Sequence, residues 1–455
     1  MNKDPRSQQI IRVHTVSLGC PKNRIDTEKM LGRLGPEYSP ADSADEAEVI
    51  LINTCGFIQP AVEESLQTIL ELAMEIKGLD PKPLLAVTGC LPARYGSELT
   101  VKLQEVDLWI SFQEQGQWDR LIKKSLGERG LKPGIIEDAH EGDRFEPARV
   151  ISTGPGYAYL KINEGCNHDC SFCLIPSIRG PLVSDPIDDL VSEAEGLLAR
   201  GVQEICIVAQ DVTAYGKDLG LKNGLQPLLE RLASLPGLRW LRLMYLYPSG
   251  ITKDFLAFLK QVGPPLLPYF DIPLQHAHPD ILSKMGRPFQ ANPARTIDLI
   301  RDYFPEACLR TTFITGFPGE SEDHFQALYD FVRDQSLNHV GVFSFSPEEG
   351  TRAAGLEEAV DDVRKEERRN RLLELQADIS GRILSEAQGE EMEILIDQPD
   401  PEWPTLFQGR AWFQAPEVDG ITYVSSLEAK PGQMIRCRVQ ETKTYDLTAL
   451  DESGP

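Results

Sequence analysis

The chain has 455 residues, a net charge of −24 at pH 7 and a sequence pI near 4.8. With 41% hydrophobic and 25% charged residues it is typical of soluble globular proteins, and its length predicts about three domains. No apolar run approaches a membrane span, and the polar residues 1–9 lack the core of a secretory signal, so we expect a cytoplasmic protein with no membrane partner. The acidity is unfavourable for gripping a phosphate backbone, and it favours a basic protein partner over nucleic acid.

The N-terminal part predicts a parallel α/β domain over residues 1–126. Strand patterns at 10–18, 49–53, 84–87 and 108–111 alternate with helix patterns at 23–34, 61–76, 97–105 and 118–126. Cys20, Cys55 and Cys90, called here the strand-end cysteines, follow the first three strands at intervals of 35 residues. Because parallel strands end at one edge of a sheet, we expect the three thiols to converge there.

Two interpretations of the strand-end cysteines compete. Free cysteine is among the most buried residue types, so three core residues are the simpler alternative. Each of these cysteines, however, follows its strand in a turn with Gly or Pro, and three converging thiolates suit an iron–sulfur cluster with one open iron. The shared position at the strand ends favours the cluster.

Residues 127–150, rich in Gly, Pro and acids, predict a linker. Strand and helix patterns then alternate through six further units, with strands expected at 157–162, 204–209, 241–246, 268–272, 309–315 and 339–345. The intervening helices are expected at 188–199, 225–235, 254–262, 293–303 and 322–335. Six consecutive units predict a parallel sheet, closed or curled into a partial (β/α) barrel over residues 151–360.

Three cysteines in the spacing Cys-x-x-x-Cys-x-x-Cys follow the first of these strands. This cysteine loop consists of Cys166, Cys170 and Cys173, and three thiolates on a four-iron cluster leave one iron open to a small molecule. A zinc site is the alternative, but structural zinc requires four ligands. His168 is the nearby candidate for the fourth, and it lies inside the loop, where reaching the same metal would be cramped. The spacing therefore favours iron and sulfur.

The C-terminal part of the sequence contains two further kinds of pattern. Residues 361–384 predict a connecting helix, whose interleaved acids and bases indicate a solvated face rather than a nucleic-acid patch. Short strand patterns at 392–396, 406–411, 421–425, 434–439 and 446–449 predict a small five-stranded antiparallel barrel over 385–455. Residues 383–455 hold 14 Asp and Glu against 5 Lys and Arg, a local charge of −9 that disfavours oligonucleotide binding.

The cysteine loop resembles the signature of the radical S-adenosylmethionine (SAM) enzymes. Together with the strand-end cysteines and a terminal barrel similar to the TRAM module, it resembles the methylthiotransferases over nearly the whole chain. Residues 17–23, Ser-Leu-Gly-Cys-Pro-Lys-Asn, look like the ribosomal-protein branch, whereas the tRNA-modifying branch typically reads Gly-Cys-Gln-Met-Asn there. Further similarity lies in residues 175–180, 271–276 and 315–320.

This resemblance implies cofactors, a reaction and partners. It implies two 4Fe–4S clusters, one on each cysteine set, and two SAM molecules, one as methyl donor and one as source of a 5′-deoxyadenosyl radical at the cysteine loop. The strand-end cluster would deliver a methylated sulfur to the β-carbon of an aspartate in small-subunit ribosomal protein S12, a basic protein. A reducing partner such as flavodoxin or ferredoxin is implied, and we expect a monomer.

Three side chains are candidate SAM contacts. Phe172 would pack on the adenine or fill core, and Gln210 and Arg310 would hold the amino-acid or ribose part or, for the arginine, form a structural ion pair. The remaining cysteines lie in or beside apolar strands and are expected to be core residues, namely Cys206, Cys308 and Cys437. Two alternative functions stay open: a tRNA adenosine methylthiotransferase and a non-enzymatic iron–sulfur redox sensor.

Overall fold

The computed structural model describes residues 10–129, 149–287 and 292–452. It forms two compact units, unit 1 with Met1–Ser152 and Leu174–Gly180, and unit 2 with Thr153–Cys173 and Pro181–Pro455. The polar segment 1–9 and most of the predicted linker 127–150 lie outside the described residues. Within the described ranges, no helix is both long enough and apolar enough for a membrane crossing. The predicted domain bounds stay a prediction.

Unit 1 is built on a five-stranded parallel sheet in the order β2-β1-β3-β4-β5. Its strands are β1 (Ile11–Ser17), β2 (Tyr38–Pro40), β3 (Val49–Thr54), β4 (Leu84–Gly89) and β5 (Leu108–Ile110). Every residue of β3 and β4 is buried, as in a central parallel strand covered on both faces. The predicted sheet is confirmed, with β2 added as a short edge strand that sequence patterning missed.

The helices of unit 1 include one from later in the chain. They are α1 (Pro21–Leu34), α2 (Gln59–Glu75), α3 (Cys90–Tyr95), α4 (Ser97–Lys102), α5 (Trp118–Glu128) and α6 (Ile175–Arg179). α1 and α2 carry proline in their first turn, where the missing N–H costs nothing. The segment Leu174–Gly180, which contains α6, belongs to unit 1 although it directly follows the cysteine loop in sequence.

Unit 2 contains a six-stranded parallel sheet and a small two-stranded antiparallel sheet. The strands in chain order are β6 (Tyr157–Lys161), β7 (Asn163–Glu164), β8 (Val183–Ser184), β9 (Glu204–Val208), β10 (Trp240–Leu243), β11 (Leu266–Asp271), β12 (Cys308–Thr315) and β13 (His339–Ser344). The large sheet has the order β13-β12-β11-β10-β9-β6, and β7 pairs with β8. Each predicted strand of the six βα units is therefore confirmed.

The helices of unit 2 follow the predicted pattern with one addition. They are α7 (Ile187–Leu198), α8 (Leu225–Ala233), α9 (Lys253–Val262), α10 (Pro279–Lys284), α11 (Ala294–Tyr303), α12 (Glu322–Gln335) and α13 (Asp362–Ser385). Thr252 caps α9, and Ser321 with His324 forms a capping box at α12. The short α10 was not predicted. Cys206, Cys308 and Cys437 are buried core residues, as expected.

The C-terminal strands close into a five-stranded barrel. They are β14 (Glu391–Pro399), β15 (Leu406–Arg410), β16 (Thr422–Ser425), β17 (Met434–Thr442) and β18 (Leu447–Asp451). The prediction of a wholly antiparallel barrel was wrong in one detail, because β16 and β18 run parallel. An odd number of strands cannot close with every neighbour antiparallel, so one parallel pair is required.

A buried ion cluster joins this barrel to the six-stranded sheet within unit 2. Glu204 in β9 has its Oε1 2.7 Å from Arg242 Nε and its Oε2 2.6 Å from Arg410 Nη1. Arg242 lies in β10 and Arg410 in β15, so one carboxylate contacts both sheets. The side chains of Glu204 and Arg242 are fully buried, and each carboxylate oxygen has a guanidinium partner, which is the arrangement that makes a buried charge tolerable.

Candidate metal centres

The strand-end cysteines lie at the same edge of the unit 1 sheet, as predicted. Cys20 is the N-cap of α1 just after β1, Cys55 directly follows β3, and Cys90 is the first residue of α3 after β4. Because β1, β3 and β4 are consecutive neighbours in the sheet, the three thiols come from adjacent strands. Cys55 is fixed further by Ser65, whose hydroxyl donates to the Cys55 carbonyl at 2.8 Å and accepts from its N–H at 3.1 Å.

Two glycines make this convergence possible. A Cβ at Gly19 would lie 2.8 Å from the Cβ of Cys55, closer than real side chains approach. Gly89, with φ +102°, precedes Cys90, and a Cβ there would lie 2.4 Å from both Asn53 Oδ1 and the Thr54 carbonyl oxygen. The turns that carry the cysteines therefore pack directly on each other, and glycine is needed at both positions.

Asn23 connects these turns. Its Nδ2 donates to the carbonyls of Leu18 and Thr54 at 2.8 and 3.0 Å, and its Oδ1 accepts from the guanidinium of Arg179. The Cys90 Sγ lies 3.9 Å from the same Oδ1. One buried amide thus ties together the turn before α1, the end of β3 and the thiol that begins α3.

The surroundings shift the pKa values of the three thiols in different directions. Burial raises the pKa of Cys20, but the charges of Lys22 and Arg179 and the backbone N–H groups at the start of α1 outweigh it, so the pKa is lowered. Burial dominates at the other two thiols, where it raises the pKa of Cys55 and raises that of Cys90 to about 11. Cys90 in particular would be protonated at neutral pH unless a metal stabilised its thiolate.

The cysteine loop in unit 2 has donors aimed at its sulfur atoms. The His168 backbone N–H donates to Cys166 Sγ at 3.4 Å, and Arg287 Nη1 lies 3.7 Å from Cys170 Sγ. Burial, the largest influence, raises the pKa of Cys166. Hydrogen bonds to cysteine sulfur are typical of iron–sulfur sites, where they tune the cluster.

The end of α10 holds the cysteine loop in place. Ser171 donates from its N–H to the Met285 carbonyl at 3.0 Å and from its hydroxyl to the Lys284 carbonyl at 2.8 Å. On the other side, the Ala353 N–H donates to the Ser171 carbonyl at 2.9 Å. The short helix that sequence patterning missed is therefore one wall of the predicted metal site.

His168 is engaged elsewhere and does not complete a four-ligand zinc site. Its Nε2 lies 2.7 Å from Asp211 Oδ2, and its ring stacks on Tyr247 with centroids 3.6 Å apart and an interplanar angle of 14°. Among the described residues, one group alone brings three ligand atoms within 4.8 Å of one another, and it is His278, Asp280 and His324. Neither cysteine set does.

This spacing bears on the kind of metal that each cysteine set suits. A single zinc with Zn–S bonds of about 2.3 Å would draw tetrahedral sulfur ligands to roughly 3.8 Å from one another. Within the described residues, neither cysteine set brings its three sulfur atoms within 4.8 Å of one another. The residues present fit a larger group bound by three thiolates, such as a 4Fe–4S cluster.

Comparison with known protein families matches three segments of the chain. Residues 12–111 match a family described as "Uncharacterized protein family UPF0004", residues 160–332 match the radical SAM superfamily, and residues 389–450 match the TRAM domain. The proteins named "Ribosomal protein uS12 methylthiotransferase RimO" from Oleidesulfovibrio alaskensis and Nitratidesulfovibrio vulgaris are each 52% identical over 442 residues, which is 97% of this chain and 100% of theirs. The chain belongs to the RimO family. It is a radical SAM methylthiotransferase, an enzyme class that uses SAM and 4Fe–4S clusters.

More distant members and solved structures extend the comparison. The RimO of Aquifex aeolicus is 42% identical over 446 residues, covering 97% of each chain. Two structures of the radical SAM methyltransferase TsrM from Kitasatospora setae have TM-scores of 0.53 at 13% and 14% identity. They cover 88% and 92% of this RimO-family chain and 77% and 80% of their own chains. At that identity the likeness concerns the fold alone.

The three candidate SAM contacts differ in their surroundings. Phe172 is half-buried and packs against a hydrophobic cluster that includes Met285 and Phe317. Gln210 lies two residues beyond the end of β9 and is half-buried. Arg310 forms ion pairs with two carboxylates, at 3.2 Å with Asp271 and 3.3 Å with Asp419, which is the structural alternative left open above. A role of these residues in binding SAM stays a prediction.

Sequence reasoning missed several side chains that contact the cysteines or their turns, and four of them illustrate why. They are Asn23 and Arg179 at the strand-end cysteines, and Arg287 and Tyr247 at the cysteine loop. Asn23 and Arg179 lie within stretches quoted above for their family resemblance. The sequence therefore marked these residues, but it did not indicate that they contact the cysteines. Arg287 and Tyr247 carried no local signal, because their contacts join segments far apart in the sequence.

Proposed function

We propose that this chain adds a methylthio group to the β-carbon of an aspartate in small-subunit ribosomal protein uS12. The observation that carries the proposal is the pair of three-thiol sites, one at the ends of β1, β3 and β4 and the other in the loop after β6. One three-thiolate site would suffice for radical generation, so the second requires a further task, and sulfur delivery provides it.

At the cysteine loop, the residues of this chain bind and orient. Cys166, Cys170 and Cys173 would hold one cluster and leave one iron for the amino and carboxylate groups of SAM, while Phe172, Gln210 and Arg310 are proposed to contact SAM. When bound, SAM supplies a radical able to take hydrogen from an unactivated carbon, and the clusters supply iron and sulfur. The His168–Asp211 contact and the Lys284 carbonyl, which accepts from the Ser171 hydroxyl, hold the loop and would keep its three thiolates in place.

At the strand-end cysteines, the residues hold a sulfur donor. Three separate turns at the strand ends supply Cys20, Cys55 and Cys90. A cluster bound there would therefore be held by three strands of the sheet and not by a single loop. Lys22 and Arg179 are buried cations beside these thiols and would balance the negative charge of bound thiolates.

The acidic charge of the chain supports a basic protein substrate. The net charge of −24, and −9 over residues 383–455, would attract a basic ribosomal protein and repel tRNA. The relatives at 52% identity carry uS12 in their name, which supports the same substrate. The proposal further includes a reducing partner such as flavodoxin or ferredoxin, action as a monomer and a cytoplasmic location.

The test reconstitutes both clusters without oxygen and supplies SAM, a reductant and a sulfide source. Recombinant uS12 and bulk tRNA are offered in separate reactions, and products are analysed by mass spectrometry with fragmentation. We expect the mass gain of one methylthio group on an aspartate of uS12 and none on tRNA. A methylthio mass gain on tRNA alone would favour the tRNA-modifying alternative over this proposal. The absence of SAM cleavage under any reducing condition would contradict both.

A further inference from the structure

A buried arginine lies among the strand-end cysteines. Arg179 ends α6, and its side chain is 1% exposed. Its guanidinium donates to Asn23 Oδ1, forms an ion pair with Asp26 at 3.3 Å and lies 4.8 Å from the centre of the Phe112 ring. Contacts on three sides therefore hold the charge in one orientation, as suits a preorganised electrostatic partner.

The same guanidinium lies beside the strand-end thiols. It donates to Asn23 Oδ1, and the Cys90 Sγ lies 3.9 Å from that same oxygen. The guanidinium also hydrogen-bonds to the sulfur of Cys90. Arg179 is thus placed to respond to whatever negative charge the thiolates carry.

The negative charge of a loaded site requires such a partner. Three thiolates around a 4Fe–4S core leave a net negative charge, and an anionic ligand at the open iron adds to it. A buried negative charge is costly unless buried positive charge faces it. Asp26 neutralises part of the Arg179 charge already, so the strength of this ion pair controls how much of it acts on the cluster.

We infer that Arg179 raises the reduction potential of the cluster at the strand-end cysteines and strengthens the binding of an anionic sulfur ligand, hydrosulfide or methanethiolate, at its open iron. The inference rests on the proposed function, which assigns a cluster to these cysteines. A fixed cation stabilises the more negative reduced form, and a hydrogen bond to cysteine sulfur acts in the same direction. Arg179 is a positioning residue, since it acts through the thiolates rather than on substrate.

The test uses the full chain with Cys166, Cys170 and Cys173 replaced by alanine, so that only the strand-end cluster is loaded. An EPR-monitored redox titration gives its reduction potential, and titrations with sodium hydrosulfide and sodium methanethiolate give the affinity for each anion. We expect Arg179→Gln to weaken the binding of each anion about tenfold. The same energy corresponds to about 59 mV in a one-electron reduction potential, so we expect the potential to become more negative by about that amount. Asp26→Asn should shift potential and affinity the opposite way.

Two further variants separate charge from structure. Arg179→Lys keeps the charge without the planar fork and should recover more than half of the loss. Arg33→Gln removes an exposed charge from the last turn of α1, about 20 Å from Cys20 at 1.5 Å per residue, and should change nothing.

The possible results distinguish failure of this inference from failure of the proposed function. Unchanged potential and anion affinity in Arg179→Gln at full iron content overturn this inference alone. If Arg179→Gln takes up no iron, Asp26→Asn decides, and an unchanged or more negative potential there overturns the inference. A starting variant that binds no cluster overturns the cysteine assignment of the proposed function and this inference with it. Failure to modify uS12 overturns the proposed substrate and leaves the potentials unaffected.

Discussion

His168 Nε2 lies 2.7 Å from Asp211 Oδ2, and this contact links the cysteine loop to the turn after β9. Asp211 is itself held in place, because its Oδ1 accepts from the backbone N–H of Thr213 at 2.8 Å and from the Thr213 hydroxyl at 2.6 Å. The Tyr247 ring stacks on one face of the imidazole. The middle of the cysteine loop is thus fixed by two other strand ends of the same sheet.

Asp211→Asn tests this support of the loop. The amide is isosteric but lacks the negative charge that orients the imidazole, so the cluster at the cysteine loop should lose iron to a chelator about ten times faster. SAM cleavage, measured as 5′-deoxyadenosine, should fall with it. Asp188→Asn is the matched control, because the Asp188 side chain is exposed and forms an ion pair with Arg231. Equal iron loss from both variants would contradict a supporting role for Asp211.

The two cysteine sets should fail differently when one thiol is removed. Cys173→Ala takes a ligand from the site that binds SAM, so SAM cleavage should be abolished. Cys90→Ala takes a ligand from the strand-end site, so SAM cleavage should continue while transfer of sulfur to uS12 stops. Chromatography of 5′-deoxyadenosine and mass spectrometry of uS12 measure the two steps separately. Normal methylthio transfer by Cys90→Ala would remove the basis for a second cluster.

Much of the fold followed from local pattern. The strands of both parallel sheets are recognisable in the sequence as apolar runs. The turn residues after β1, β3 and β4 indicate that the strand-end cysteines lie at the ends of these strands. What the pattern missed depends on distant contacts or on short elements. β2 is a three-residue edge strand ending in a proline, and α10 is a single six-residue helix, so neither carries a periodicity long enough to detect.

The support of the metal sites was beyond sequence reasoning for a different reason. Arg179 is 89 positions from Cys90 in the chain, and the packing of α6 in unit 1 is what brings the two together. Likewise His168 and Asp211 are 43 positions apart and meet through the register of β6 with β9. Ligand spacing is local information, whereas the groups that orient ligands are supplied by tertiary structure.

Gly89→Ala should disturb the strand-end site through packing as well as backbone strain. A Cβ there would lie 2.4 Å from two atoms of the β3 end, so Cys90 must shift. Gly78 has a similar φ, +107° against +102°, but nothing within 4 Å of its Cβ position, so Gly78→Ala adds a side chain at positive φ without the clash. We expect Gly89→Ala to lower the free energy of unfolding by about 1–3 kcal/mol more than Gly78→Ala does, and to halve iron uptake. Equal urea unfolding curves for the two variants would contradict the packing argument.

Glu204→Gln should destabilise unit 2, and the effect should depend on pH. Breaking a buried ion pair by removing one partner costs about 3–5 kcal/mol, because Arg242 and Arg410 then remain buried without their carboxylate. Burial raises the pKa of Glu204, but Arg410 and Arg242 outweigh it and hold the pKa below its ordinary value of 4.5.

The sign of the pH dependence follows from that direction. A carboxyl whose pKa is depressed on folding stabilises the protein above its unfolded pKa and loses this contribution as the pH falls through its folded pKa. Wild type and Glu204→Gln should therefore differ most at pH 7 and converge progressively below pH 4.5. Urea unfolding of both proteins at pH 7, 5 and 4 measures the difference, with Glu393→Gln, an exposed partner of Arg239, as control. A difference that grows toward acid would mean that Glu204 is already protonated in the folded protein.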